Sequence, residues 1–91
     1  MELTTQNKED IRTLMERWGD DLQVLITMEQ CGQLSTECSH WLRWRNNPEK
    51  IINRVADMHI MLETMEQVFH IDRNILRGCV DEKLQKALEM K

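Results

Sequence analysis

The stretch 46-NNPEKIINRVADMHIMLETMEQVF-69 decides the fold. Asn46-Asn47-Pro48 is the sharpest punctuation in the chain. Asn47 as a cap and Pro48 at the first helical position form a strong start signal, because proline presets the helical φ and lacks an N–H that would go unbonded there anyway. Beyond it, Ile51, Val55, Met58, Leu62, Met65 and Phe69 recur at spacings of four, three, four, three and four. That period aligns one face of a helix for packing against another helix. The spacing predicts a helix over Pro48 to Phe69 with this stripe in the core.

Working outward, the residues before the Asn-Asn-Pro break predict a long helix from Asp20 to Arg45. Leu22, Leu25, Met28, Trp41 and Leu42 supply its apolar contacts. Gly32 sits in its middle, at a cost of about 1 kcal/mol relative to alanine. It marks either close approach of a helix or ligand, or simple tolerance. An earlier helix spans Asn7 to Trp18, with Ile11, Leu14 and Trp18 on one side, and Gly19 ends it. After Phe69, His70-Ile71 leads to a fourth helix, capped by Asp72 and reaching Glu89. Ile75, Leu76, Val80, Leu84, Ala87 and Leu88 are its apolar residues. The expected fold is all-α: one domain over 1–91, a small antiparallel four-helix bundle with residues 1–6 flexible. So small a core favours oligomerisation to cover the remaining apolar faces.

Composition agrees and excludes several classes. One Pro, three Gly and no Tyr in 91 residues do not suit an all-β sandwich. A charged share of 31% and a hydrophobic share of 41% suit a folded soluble chain. Twelve Lys and Arg against 16 Asp and Glu give a net charge of −4, which disfavours general coating of nucleic acid. No apolar run approaches the ~20 residues of a membrane span. The polar start, Met1 to Asp10, lacks the apolar segment of a signal peptide, so a cytoplasmic location is expected. Cys31, Cys38 and Cys79 are odd in number and lack a CxxC pair. They are expected to be buried thiols in a reducing compartment, and Cys31, Cys38 and His40 lack zinc-ligand spacing.

Four polar residues carry the chemistry. Gln30 and Gln33 lie three apart on the second helix, and Arg54 and Asp57 three apart on the third. If these helices pack antiparallel, all four can meet inside the bundle, where such folds build ligand and metal sites. Trp41 and Trp44 alternate with Arg43 and Arg45. That pattern can stack nucleobases, although tryptophan at this spacing is more often core or interface. His40, His59 and His70 are scattered and lack a nucleophile at motif spacing, which fits surface or packing roles.

Leu25 to Leu62 resembles the MazG-like all-α nucleoside triphosphate pyrophosphohydrolases. That family carries Glu-Glu-x-x-Glu on one helix and Glu-x-x-Asp on the next. The corresponding residues here are Glu29-Gln30-Cys31-Gly32-Gln33 and Arg54-Val55-Ala56-Asp57, twenty residues apart. Trp18-Gly19 with Gln23, and Ala56-Asp57 running into Ile60-Met61-Leu62, extend the likeness over about residues 18 to 88. The resemblance implies a homo-oligomer, dimer or tetramer, with sites near subunit interfaces. In the family the second and third Glu of the first motif, with the Glu and Asp of the second, hold magnesium. Gln30, Gln33 and Arg54 stand at three of those positions, so Asp57 is the only retained family ligand.

Magnesium requires hard, charged oxygen ligands in near-octahedral array. Two neutral amides and one guanidinium remove that set, and with it the Lewis acid and activated water of hydrolysis. Arg54 is expected to take over the ion's space and charge by pairing with Asp57 or Glu29. The expected protein therefore has no catalytic residues and no cofactor. It binds or sequesters a nucleotide-type ligand through Gln30, Gln33, Arg54, Asp57 and Glu29, with Arg43 and Arg45 adding positive charge. An active pyrophosphohydrolase using Mg2+ with Glu29, Asp57 and Glu37 is one alternative. A helical protein-interaction module is the other.

Overall fold

The computed structural model describes residues 1–45 and 48–90. The described residues form four helices and no strand: α1 Thr5–Trp18, α2 Asp20–Trp44, α3 Glu49–Val68 and α4 Arg73–Glu89. The proposed Asn47 cap lies outside the described residues; Pro48 immediately precedes α3.

Local chemistry explains each boundary. Thr4 Oγ1 accepts the Asn7 N–H and Asn7 Oδ1 accepts the Thr4 N–H, both at 3.0 Å. This reciprocal cap satisfies two otherwise unbonded donors and starts α1 at Thr5. Thr5 and Gln6, expected to be flexible, therefore belong to the first turn. Gly19, at φ 82°, breaks the chain between α1 and α2 in a conformation that costs glycine little. Asp20 and Asp21 then place negative charge at the positive end of α2. Arg45 closes α2 at φ 48° and donates its N–H to the Trp41 carbonyl at 2.7 Å. Asp72 caps α4 by accepting the Asn74 and Ile75 N–H groups at 2.7 and 3.3 Å.

Helix α3 folds back along α2, and α1 packs against both. Helix α4 packs on none of the three among the described residues, so a four-helix bundle does not close within one chain. Its start is tied to α3 by a 2.9 Å bond from Arg73 Nε to Glu66. That hydrogen bond and the nearby negative charge of Glu66 hold the Arg73 guanidinium above its ordinary value. The remainder of α4 projects outward. The radius of gyration is 15.4 Å, against about 12 Å for a compact chain of this length.

The interior is small and unusually polar. Ile11 and Met61 are the buried apolar side chains, joined by Gln23, Glu63 and Thr64. Most of the polar groups bond locally. Thr64 Oγ1 donates to the Ile60 carbonyl at 2.8 Å, and Thr27 Oγ1 to the Gln23 carbonyl at 2.9 Å. Gln67 Nε2 bridges α3 to α1, donating to the Lys8 carbonyl at 3.2 Å and to Glu63 at 3.1 Å.

The predicted core stripe of α3 divides in two. Met58 and Met65 are half-buried, but Val55, Leu62 and Phe69 face outward. At 3.6 residues per turn all six fall within an arc of about 80°, and the rotation of α3 lets α1 and α2 cover only one edge of that face. The same displacement occurs on α2. Gln23, Thr27, Gln30, Leu34, Glu37 and Trp41 turn inward, whereas Leu22, Leu25, Met28 and Leu42 are exposed. All three cysteines are exposed rather than buried, Cys31 and Cys38 on the outer side of α2 and Cys79 on the projecting α4.

Candidate functional site

Arg54 sits where the α2–α3 hairpin presents an open groove of about 430 Å³. Glu29, Gly32, Gln33, Thr36 and Glu37 of α2 form one wall and Arg54 of α3 the other. Arg54 lies one turn before Asp57, and its Nη1 donates to Asp57 Oδ2 at 3.2 Å. The two side chains are 34% and 36% exposed, so water screens the pair. Their bond is therefore a positioning contact. It holds the guanidinium at the groove while using one of its five N–H donors.

The expected site residues are thus partly gathered. Glu29, Gln33 and Arg54 line one groove, and Asp57 joins them through its bond to Arg54. Gln30 is half-buried outside the groove lining, and its Oε1 bonds to nothing among the described residues. Gln23 is only 3% exposed, and its Nε2 is likewise unpartnered. Arg43 and Arg45 do not line the groove. The Arg45 guanidinium lies 4.1 Å from the centre of the Trp41 ring, and that of Arg43 lies 5.9 Å from the Trp44 ring. His40 packs on Trp44 as well, with ring centres 5.1 Å apart. These cations hold the end of α2 together through the electron-rich ring faces. Trp44 is exposed, so it is not core.

The groove also contains residues that motif spacing does not single out together. Thr36 and Glu37 lie two helical turns from Glu29 and one from Gln33 and share their side of α2. Only the helical register brings them in. Among the described residues no three His, Cys, Asp or Glu side chains gather as a metal site requires. Nor is any described helix long and apolar enough to cross a membrane.

Gly32 lies in the groove wall, and a Cβ built there meets no atom within 4 Å. Its absent side chain therefore makes room for no packing contact among the described residues. Gly32→Ala is expected to stabilise the protein by about 0.5–1 kcal/mol through the lower entropy of the unfolded chain. Urea unfolding at fixed protein concentration checks this; a lower midpoint would mean that another molecule packs against Gly32.

Compared with protein-family models, curated proteins and solved structures, the chain matches none.

Proposed function

We propose that this chain is a catalytically impaired MazG-like protein that captures a nucleotide-type ligand without efficient hydrolysis. In this reading it works as a homo-oligomer and needs no magnesium ion. One observation carries the proposal: a guanidinium, held by Asp57, stands at the edge of an open groove lined by amide, hydroxyl and carboxylate side chains. Arg54 offers a permanent, planar positive charge that can donate to two phosphate oxygens at once. Gln33 and Thr36 can donate or accept. Glu29 and Glu37 accept only, so they suit ribose hydroxyls or base amino groups and repel phosphate from their own end. The polarity of the groove thus favours a ligand with an anionic end and a donor-bearing end, which describes a nucleotide.

Hydrolysis is the step this arrangement lacks. Arg54 supplies charge but no lone pair to activate water, and its bond to Asp57 engages the one carboxylate retained from the family's metal set. Equilibrating the protein with nucleoside triphosphates, cyclic nucleotides and cyclic oligonucleotides in the presence of magnesium tests this. After filtration, free ligand is quantified, and the retained protein is denatured to release what it holds. Intact ligand missing from the filtrate and recovered on denaturation is the expected result. Nucleoside monophosphate and pyrophosphate in the filtrate would establish an active enzyme instead.

A second reading, a helical interaction module, is favoured by the apolar side chains exposed on α2, α3 and α4. A panel of nucleotides left wholly in the filtrate would select it.

A further inference from the structure

The end of α2 carries a feature that the groove does not use. Residues 40-HWLRWR-45 interleave aromatic and cationic side chains, and Lys50 adds a cation where α3 begins. Helices α2 and α3 pack on each other, so these residues share one end of the hairpin. Between His40 and Lys50 the chain has three cations and one acid, Glu49; the remainder has nine cations against fifteen acids. The tip is thus positive and the body strongly negative, a separation that orients the molecule in an external field. Arg43, Arg45 and Lys50 are all exposed, and none has a carboxylate partner among the described residues.

Apolar side chains accompany the charge. Leu42 is 64% exposed and Trp44 62%, and both adjoin Arg43 in the chain. The Arg45 guanidinium lies against the Trp41 ring and that of Arg43 near the Trp44 ring, so each cation sits beside an indole. This composition suits the boundary of a phospholipid bilayer. Indole partitions to the headgroup level, leucine reaches the acyl boundary, and arginine keeps its charge with the phosphates. A single-stranded nucleic acid fits less well. Base stacking needs a free ring face, and here a cation already stands over each ring; an exposed leucine gives a phosphate backbone nothing to bind. Pairing with the same tip of a second copy fits less well too, because it would oppose like charges.

We propose that the α2–α3 tip docks on the surface of a membrane containing anionic phospholipid, with Arg43, Arg45 and Lys50 on the headgroup phosphates and Leu42 and Trp44 seated at the interface. Such docking needs no spanning helix, and no described helix is long and apolar enough to be one. The acidic body is repelled by the same surface, so the chain stands on its tip. Both components are required. Two apolar side chains alone give only marginal, reversible attachment, and each cation adds about a factor of five in affinity near an anionic surface. The docking goes beyond the nucleotide reading and does not depend on it, since neither Arg54 nor the groove takes part.

Flotation of the full chain with vesicles tests it, using phosphatidylcholine alone or mixed with phosphatidylglycerol. The expected result is association with the mixed vesicles, little with the neutral ones, and release at high salt as the charges are screened. Arg43→Gln combined with Arg45→Gln is expected to weaken association roughly thirtyfold, from the factor of about five per cation. Lys83→Gln combined with Lys86→Gln removes the same charge from α4 and is expected to leave association nearly unchanged. The arginine variant alters the end of α2, so insertion is also read without it. In a Trp18→Phe chain only Trp41 and Trp44 remain as indole fluorophores, and lipids brominated on their acyl chains are expected to quench them. No association with the anionic vesicles would overturn the proposal. So would an arginine variant that loses no more than the lysine variant, or tip tryptophans left unquenched in the bound chain. Retention of a single-stranded oligonucleotide by a chain that ignores the vesicles would assign the tip to nucleic acid instead.

Discussion

Met61→Ala is expected to lower stability by about 2–4 kcal/mol, the range for emptying a buried long side chain. Met61 and Ile11 are the buried apolar side chains of the chain, and Met61 lies where α3 meets α2. Its sulfur lies 3.5 Å from the Thr27 hydroxyl oxygen, whose one proton is directed chiefly to the Gln23 carbonyl, so truncation removes a contact between the two helices as well as apolar bulk. At roughly 0.05–0.15 kcal/mol per residue a chain of this length holds about 5–14 kcal/mol, so a loss of this size is a large fraction of the total. Met28→Ala is the matched control. Met28 is exposed on α2, and its truncation is expected to change stability by no more than about 0.5 kcal/mol. Urea titrations at one protein concentration compare them, because self-association makes apparent stability concentration-dependent. Equal midpoints for the two variants would show that the α2–α3 hairpin is not held through Met61.

The second large effect concerns the groove. Arg54→Ala is expected to weaken retention of the captured nucleotide by roughly 10- to 100-fold, the worth of hydrogen bonds from a charged donor to phosphate. Arg54→Lys should fall between, since an ammonium keeps the charge and loses the planar two-point contact. Neither change should unfold the protein. The Arg54–Asp57 pair is about one-third exposed, and pairs so placed contribute at most about 1 kcal/mol. Equilibrium retention measured beside a urea midpoint separates the two effects. Retention unchanged in Arg54→Ala, with the fold intact, would remove Arg54 from the proposed site and with it the basis for anion capture.

Helix identity and helix ends were legible because they depend on neighbours in the chain. Gly19, Pro48 and Asp72 act on the backbone within a turn of themselves, and all three mark observed boundaries. The start of α1 was missed by two residues because its cap is reciprocal. Thr4 and Asn7 each satisfy the other's backbone, with asparagine where a glutamate or glutamine is the usual signal. Of the candidate site, the i, i+3 pairing of Arg54 with Asp57 was readable from spacing alone. That Gln33 faces Arg54 while Gln30 lies outside the groove lining was not. Both glutamines satisfy the same spacing rule, and only the rotation of α2 against α3 separates them.

The amino-acid sequence by itself determined four helices, their order and the Asp72 cap of α4, since these follow from backbone conformation and local hydrogen bonding. It also determined that apolar residues recur at helical period on α3 and α4. Only the tertiary structure decided which of those residues are inside. In α2 the inward positions carry Gln23, Thr27, Gln30 and Glu37 beside Leu34 and Trp41, while the apolar Leu25, Met28 and Leu42 point out. In α3 half of the regular stripe is left uncovered, and among the described residues α4 packs on no other helix. The physical reason is that periodicity records a face to be buried but carries no label for the molecule that buries it. Three helices of one small chain enclose too little volume for all the apolar side chains it carries, so the division between core and outer face rests on helix rotation and packing rather than on residue type.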